Sequence, residues 1–354
     1  MNAPRARLRL RMPKSPVIAV ALMTVALGIS GNAEVFASPS QPMISGKSSR
    51  FTASGIRHLT LLSGDCVAYV LATSLGNEVV VRGLRSGSIR VIAQLKSPAM
   101  VTWLAGDGDW LVWSWQSHMQ TSVLDPVNWH VVSANLSSGH TKLLESSSQG
   151  GDPLPPAPTV RNGVAAWTHW LGFAARKSDV IVADLATGKT RVFLSHVAVG
   201  QVALAGSRLV YLLTIQKQNV YTNIVMSASL TGGVSSPVSS SGHSQLPRAF
   251  GNLVVWQEPD MGEPQRLMSR VLPNGKETIA LNDANHANVA VGQNFFVFDG
   301  IDGQWYATKP AGGNPVRLST QAWYPCGTSV HNHQVVWGEG STDSNIRIFT
   351  ATVN

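Results

Sequence analysis

The residues able to do chemistry are scattered along this chain. Acids in its variable segments are Asp125, Asp152, Glu258, Asp260 and Glu263. Two carboxylates brought together on a glycan would serve as general acid and base, but the stretch from Glu258 to Glu263 reads as a solvated loop. His196, His243 and His286 recur in successive segments between repeats, with Tyr324 near the equivalent place in the next. Such a partial ring suits a metal or an anion, and solvated loop histidines are the alternative, because the spacing sets no ligand geometry. Trp115, Trp129, His169, Trp170 and Phe173 place flat rings beside polar groups, an arrangement that suits a sugar ring or a peptide. The competing reading packs these rings against their own loops, or puts Trp129 in the core of a strand. No His-Glu-x-x-His, Gly-x-Ser-x-Gly, phosphate-loop or dinucleotide-binding pattern occurs. Asp299-Gly300-Ile301-Asp302-Gly303 lacks the later carboxylates of a calcium loop and reads as a hairpin turn. No catalytic residue, metal ligand or cofactor is assigned.

The elements that carry these residues repeat. A turn followed by a short apolar run ending in an aromatic occurs seven times, with anchors Tyr69, Trp113, Trp167, Tyr211, Trp256, Phe298 and Trp337. The gaps are 44, 54, 44, 45, 42 and 39 residues, a period that suits a four-stranded propeller blade. A second marker follows most anchors, a Gly turn before a β-prone run: Ser86-Gly87, Ser138-Gly139, Thr187-Gly188, Gly232-Gly233, Asn274-Gly275 and Gly312-Gly313. Each unit therefore reads as strands a, b, c and d. The expected fold is all-β, a seven-bladed β-propeller. The blades span 56–96, 99–146, 157–195, 200–240, 246–282, 287–319 and 324–354.

The seventh unit stops after strand c, and the missing strand d stands at the other end of the chain. Ser45-Gly46-Lys47-Ser48-Ser49-Arg50-Phe51 resembles Thr187-Gly188-Lys189-Thr190-Arg191-Val192-Phe193, so residues 45–53 are expected to complete blade seven. That closure would hide both open sheet edges. It would also make blades one and seven neighbours, and Cys66 and Cys326 are then expected to form a disulfide at the seam, worth about 2–4 kcal/mol, with two buried thiols as the alternative.

In such a ring the d–a links and b–c loops share one face. The long variable segments fall there: Gln116 to Trp129, Gly150 to Pro156, and His169 to Phe173. Binding residues concentrate on loops held by a rigid scaffold, so this face and its channel mouth are expected to bind.

Before the first repeat, Arg5, Arg7, Arg9, Arg11 and Lys14 precede an apolar run from Val17 to Ile29, then Val35-Phe36-Ala37. Residues 1–37 read as a secretory signal cleaved after Ala37 or Ala33, and residues 38–354 as a single propeller domain. An uncleaved anchor is the alternative. Removing the signal reduces the formal charge from +8 to +4, with 22 basic and 18 acidic residues left. No Lys/Arg cluster with interleaved aromatics is present, which argues against nucleic acid as a partner. With 44% hydrophobic and 13% charged residues, the chain has ample material for packed sheets.

The turn, Val-Val-Trp, polar loop, apolar strand and Thr-Gly-Lys pattern resembles the TolB-like and cell-surface β-propeller repeats of bacteria and archaea. Val335-Val336-Trp337-Gly338-Glu339 followed by Asp343 to Phe349 carries the resemblance best. Val254-Val255-Trp256 and Asp184-Leu185-Ala186-Thr187-Gly188-Lys189 are also close, while the Ser-Pro-Asp-Gly turn of TolB-type repeats is absent. The resemblance implies export and ring architecture. Three readings of function follow: an exported, monomeric binding protein for a protein, peptide or cell-wall glycan; a propeller glycoside hydrolase or polysaccharide lyase; and a structural cell-surface component. A cluster of carboxylates in the channel would favour the second.

Overall fold

A computed structural model describes residues 41–120, 127–147, 154–171, 177–218, 220–260, 263–282, 288–320, 327–340 and 345–354, without the side chains of 260, 263 and 264. Every regular element among them is a β-strand. The strands form seven antiparallel four-stranded sheets. The chain is a seven-bladed β-propeller.

Six sheets run a-b-c-d in chain order, as in blade three: Thr159–Arg161, Val164–Trp170, Ser178–Asp184, Lys189–Val197. Inner strands a are Ile56–Ser63, Met100–Asp107, Thr159–Arg161, Val199–Ala205, Gln245–Phe250, Val289–Val291 and Thr328–His331. Each touches the next, and the last touches the first, which closes the ring.

The repeat is built from two-residue periodicity. In strand b of blade one, Cys66–Thr73, Val67 and Tyr69 pack into the core shared with blade seven. Ala68 and Val70 pack into the core shared with blade two. Seven such inter-blade cores result, and every aromatic anchor faces the preceding blade. A strand buried on both faces explains why each anchor run is apolar throughout. At the c–d turns, Gly87, Gly139 and Gly188 adopt φ of 70°, 75° and 64°, a conformation with no steric cost for glycine.

Blade seven consists of Thr328–His331, Gln334–Glu339, Ile346–Val353 and the N-terminal strand Ile44–Ala53. Ser45 pairs with Thr352 and Phe51 with Ile348. Met43 and Asn354 exchange two backbone hydrogen bonds of 3.0 Å. Lys47 Nζ fastens the strand to blade six through Leu318 O at 2.6 Å and lies 5.6 Å from the Trp337 ring.

The expected seam disulfide involves two residues, of which only Cys66 is among those described. Cys66 begins strand b of blade one. It lies on the face of strand b that packs toward blade two, while the seam with blade seven is filled by Val67 and Tyr69. Cys326 lies outside the described residues.

Candidate functional site: the central channel and its mouth

The seven strands a line a channel of about 500 Å³ along the axis. Their residues that pair with the position just before each anchor form a ring at its waist. They are Thr60, Ala105, Thr159, Ala203, Arg248, Ala290 and Ser329. Six are small. Their size leaves the volume into which the seventh, Arg248, extends.

Arg248 is surrounded by protein, and what surface it keeps faces the channel. Its Nη1 donates to Gln201 Oε1 at 3.0 Å and to Pro247 O at 3.1 Å. Among the described residues no carboxylate pairs with it and none lines the channel. Burial therefore acts unopposed and lowers its pKa below the usual arginine value. Arginine nonetheless keeps its proton in proteins, so the channel holds a cation with no counter-ion among the described residues.

One end of this channel is blocked. At the end of the a–b turns, Arg161 Nη1 of blade three donates to Asp107 Oδ1 of blade two at 2.8 Å. The Asn162 N–H donates to Asp107 Oδ2 at 2.8 Å. His331 of blade seven places Nδ1 3.4 Å from the same carboxylate. Arg161 lies over the Phe250 ring of blade five, and Phe250 meets His331 edge to face with centroids 6.4 Å apart. Four blades thus join side chains across the axis. Burial tends to raise the Asp107 pKa, but the His331 hydrogen bond, the Arg161 charge and the Asn162 N–H together hold it below 3.8.

The opposite end, on the d–a/b–c face, is shaped by bulges. Pairing of strand a shifts register between Arg57 and Thr60, Val101 and Trp103, Val199 and Val202, and Gln245 and Arg248. Bulges re-aim side chains. Here they accompany His58 and Leu246, both at φ 48°. His58 lines the channel 6.3 Å from the Trp103 ring, and its pKa is lowered by burial first and by Arg57 second. Trp103 is 37% exposed at this end.

Beside the mouth, a groove of about 380 Å³ runs between blades three and four. Trp170 and Tyr221 edge it, with Lys177, Thr214 and Gln216 among its polar groups. Blade four contributes through an unusually long b–c hairpin, Arg208–Lys217 with Val220–Ser229, paired up to Lys217 and Val220. Ile215, Val220 and Tyr221 stand exposed on it.

The expected site residues separate into distinct environments. Trp170 edges the groove. Trp115 stacks on His130 with centroids 4.1 Å apart, beside an outer cleft between blades one and two. Trp129 is fully buried, which is its core alternative. His169 Nδ1 is 2.9 Å from Glu145 Oε1, and its ring meets Trp129 edge-on. Glu145 also accepts from the Trp167 indole, so His169 belongs to a tie between blades two and three. His196 and His243 are exposed and do not line the channel. His196 sits near the end of outer strand d at φ 55°, beside Ser195 and Asp179, because strand d continues past the point where a link was expected. His243 forms an isolated bridge with Asn223. Phe173, His286, Tyr324, Asp125 and Asp152 lie outside the described residues.

Glu258 also differs from expectation. It is 5% exposed, and accepts from Trp256 Nε1 at 3.0 Å and from the Ser241 hydroxyl. Glu339 does the same for Trp337 Nε1 at 2.8 Å and Thr320 Oγ1 at 2.9 Å. A carboxylate two residues after a Trp anchor thus ties strand b to the incoming d–a segment. Asp299 pairs with Trp305 across a hairpin, and Gly300 N donates to Gln304 O, as the turn reading requires.

The sequence carries a signal for Arg248. Aligning the repeats on their anchors places Arg248 among Ala105, Thr159, Ala203, Ala290 and Ser329, the one long charged side chain in that column.

Comparison with solved structures agrees with the ring. The propeller domain of the Trilobed protease from Pyrococcus furiosus superposes with TM-score 0.60 at 13% identity, covering 86% of this chain and 94% of that one. That domain is described as an open velcro, whereas here the N-terminal strand closes blade seven. An acylaminoacyl peptidase bound to Z-Gly-Gly-Phe-chloromethyl ketone gives TM-score 0.62 at 11% identity over 85% of this chain and 52% of that one. An oligogalacturonate lyase with manganese gives TM-score 0.51 at 13% identity over 85% and 76%. The chain spans about half the length of the peptidase. At these identities the likeness is one of fold. No protein-family model matches the chain, and no curated protein matches it.

Proposed function

We propose that this chain is an exported binding module. It presents the d–a/b–c face of its propeller to a protein, peptide or cell-wall glycan. The observation that carries this reading is the asymmetry of the channel. Side chains of four blades close the turn end, while the other end opens beside an aromatic-edged groove. A rigid ring with one open mouth positions loops for recognition. Trp170 and Tyr221, together with the amide, hydroxyl and ammonium groups around them, favour a glycan as occupant. Export rests on the basic and apolar N-terminal pattern and on the resemblance to TolB-like cell-surface repeats. The mature protein would begin after Ala33 or Ala37, act as a monomer, and be secreted, periplasmic or held at the surface.

The test is a screen of mature protein on glycan and peptide arrays, repeated with Trp170→Ala and with Lys189→Ala on the c–d turn face. Loss of binding in the first and retention in the second is expected. Equal binding by all three proteins would remove the groove from the account.

A further inference from the structure

We propose that the channel waist is a carboxylate-binding site, with Arg248 as its fork and a small sugar acid as the class of ligand. This deepens the binding reading above and rests on it. Nη1 of Arg248 is committed to Gln201 and Pro247. Among the described residues, Nε and Nη2 have no acceptor. These two nitrogens form the edge of a guanidinium that matches both oxygens of a carboxylate. The group is held at Nη1 by Gln201 and shares the channel lining with small residues.

The rest of the lining selects the ligand. No acid among the described lining residues competes for the guanidinium. Hydroxyls from Thr60, Thr159 and Ser329 share the ring with Arg248. The Ser329 Oγ accepts from Leu61 N at 3.0 Å and keeps its own proton to donate. Trp103, at the mouth, offers an aromatic face to a sugar ring. About 500 Å³ holds a ligand of one or two rings. A bound carboxylate would supply the counter-charge that the buried guanidinium lacks.

The probes are glucuronate, glucose and inorganic phosphate, titrated into mature protein by calorimetry. Glucuronate is expected to bind saturably, at least tenfold more weakly in Arg248→Gln, and more weakly as salt rises. Glucose is expected not to bind. Phosphate binding with no glucuronate binding would overturn the sugar-acid class and assign the fork to a free phosphate. Absence of binding by both anions, or equal glucuronate affinity in Arg248→Gln, would overturn the site itself. Ala290→Glu, which places a carboxylate in the same ring, guards against misfolding of the first variant. It is expected to raise the melting temperature and abolish glucuronate binding, and unchanged glucuronate affinity there would also count against the site. Trp170→Ala should leave glucuronate affinity intact, which separates this site from the groove.

Discussion

The guanidinium of Arg161 lies over the ring of Phe250, its Cζ 3.7 Å from the ring centroid, although the two residues belong to blades three and five. The same side chain holds Asp107 of blade two. Contacts between blades that are not neighbours are what turn a ring of sheets into a channel with a floor. Breaking a buried ion pair by removing one partner leaves the other charge uncompensated. Arg161→Ala is therefore expected to cost about 3–5 kcal/mol of stability, read by urea unfolding. A loss under about 1 kcal/mol, the range of an exposed pair, would mean that the floor does not bind the blades together.

Stability should fall toward acid in two stages. His58 has a folded-state pKa below 6.5, so as pH drops from about that value the unfolded chain takes up the proton first and the native state loses ground. Asp107 is also depressed, so its contribution is complete above about 3.8 and is lost as pH falls through its folded value. Denaturant midpoints measured from pH 8 to pH 3 should show both stages. Asp107→Asn should remove the lower one, and His58→Gln should reduce the upper, to which His130, also depressed by burial, contributes. An upper stage unchanged in His58→Gln would assign it elsewhere.

Closure of the ring depends on a strand from the opposite end of the sequence. Phe51 is 8% exposed, packs 5.8 Å from the Tyr69 ring and lies under the Arg82 guanidinium at 4.1 Å. Phe51→Ala is expected to cost about 3–5 kcal/mol, as for other buried aromatics. Faster hydrogen exchange should follow in Ile346–Val353, whose edge the strand covers. Unchanged exchange there would show that blade seven stands without its N-terminal partner.

The Trp-to-carboxylate ties give a fourth expectation. Glu339→Ala would leave Trp337 Nε1 and the Thr320 hydroxyl and N–H without their acceptor. Trp337 is fully buried, and a buried donor left unsatisfied costs about 1–3 kcal/mol, whereas the exposed Thr320 can turn to water, so a drop of about that size is expected in thermal or chemical unfolding. Glu258→Ala should behave alike, through Trp256 and Ser241.

The ring was legible because its determinants are local and repeated. Apolar strands buried on both faces, aromatic anchors and Gly turns recur at one spacing, and the pairing of Ser45 to Phe51 with Ile348 to Thr352 follows from a turn sequence shared with Thr187-Gly188-Lys189. The channel was less legible. Strands a are short and bulged, so the direction of His58 or Arg248 depends on pairing shifts that spacing does not encode. His196 lies on strand d and not in a link, because strand d extends further than its turn spacing implies. The face on which Cys66 lies cannot be read from its blade alone, because one residue of register decides which neighbouring blade a side chain meets.

The central claim is that recognition occurs at the open mouth and not at the turn face. Fluorine NMR of 5-fluorotryptophan-labelled mature protein reads both ends at once. On addition of the array-selected binder, the resonances assigned by mutation to Trp103 and Trp170 are predicted to shift, while that of Trp110, beside the a–b turn of blade two, stays fixed. Movement of Trp110 with Trp103 and Trp170 unmoved would contradict the account.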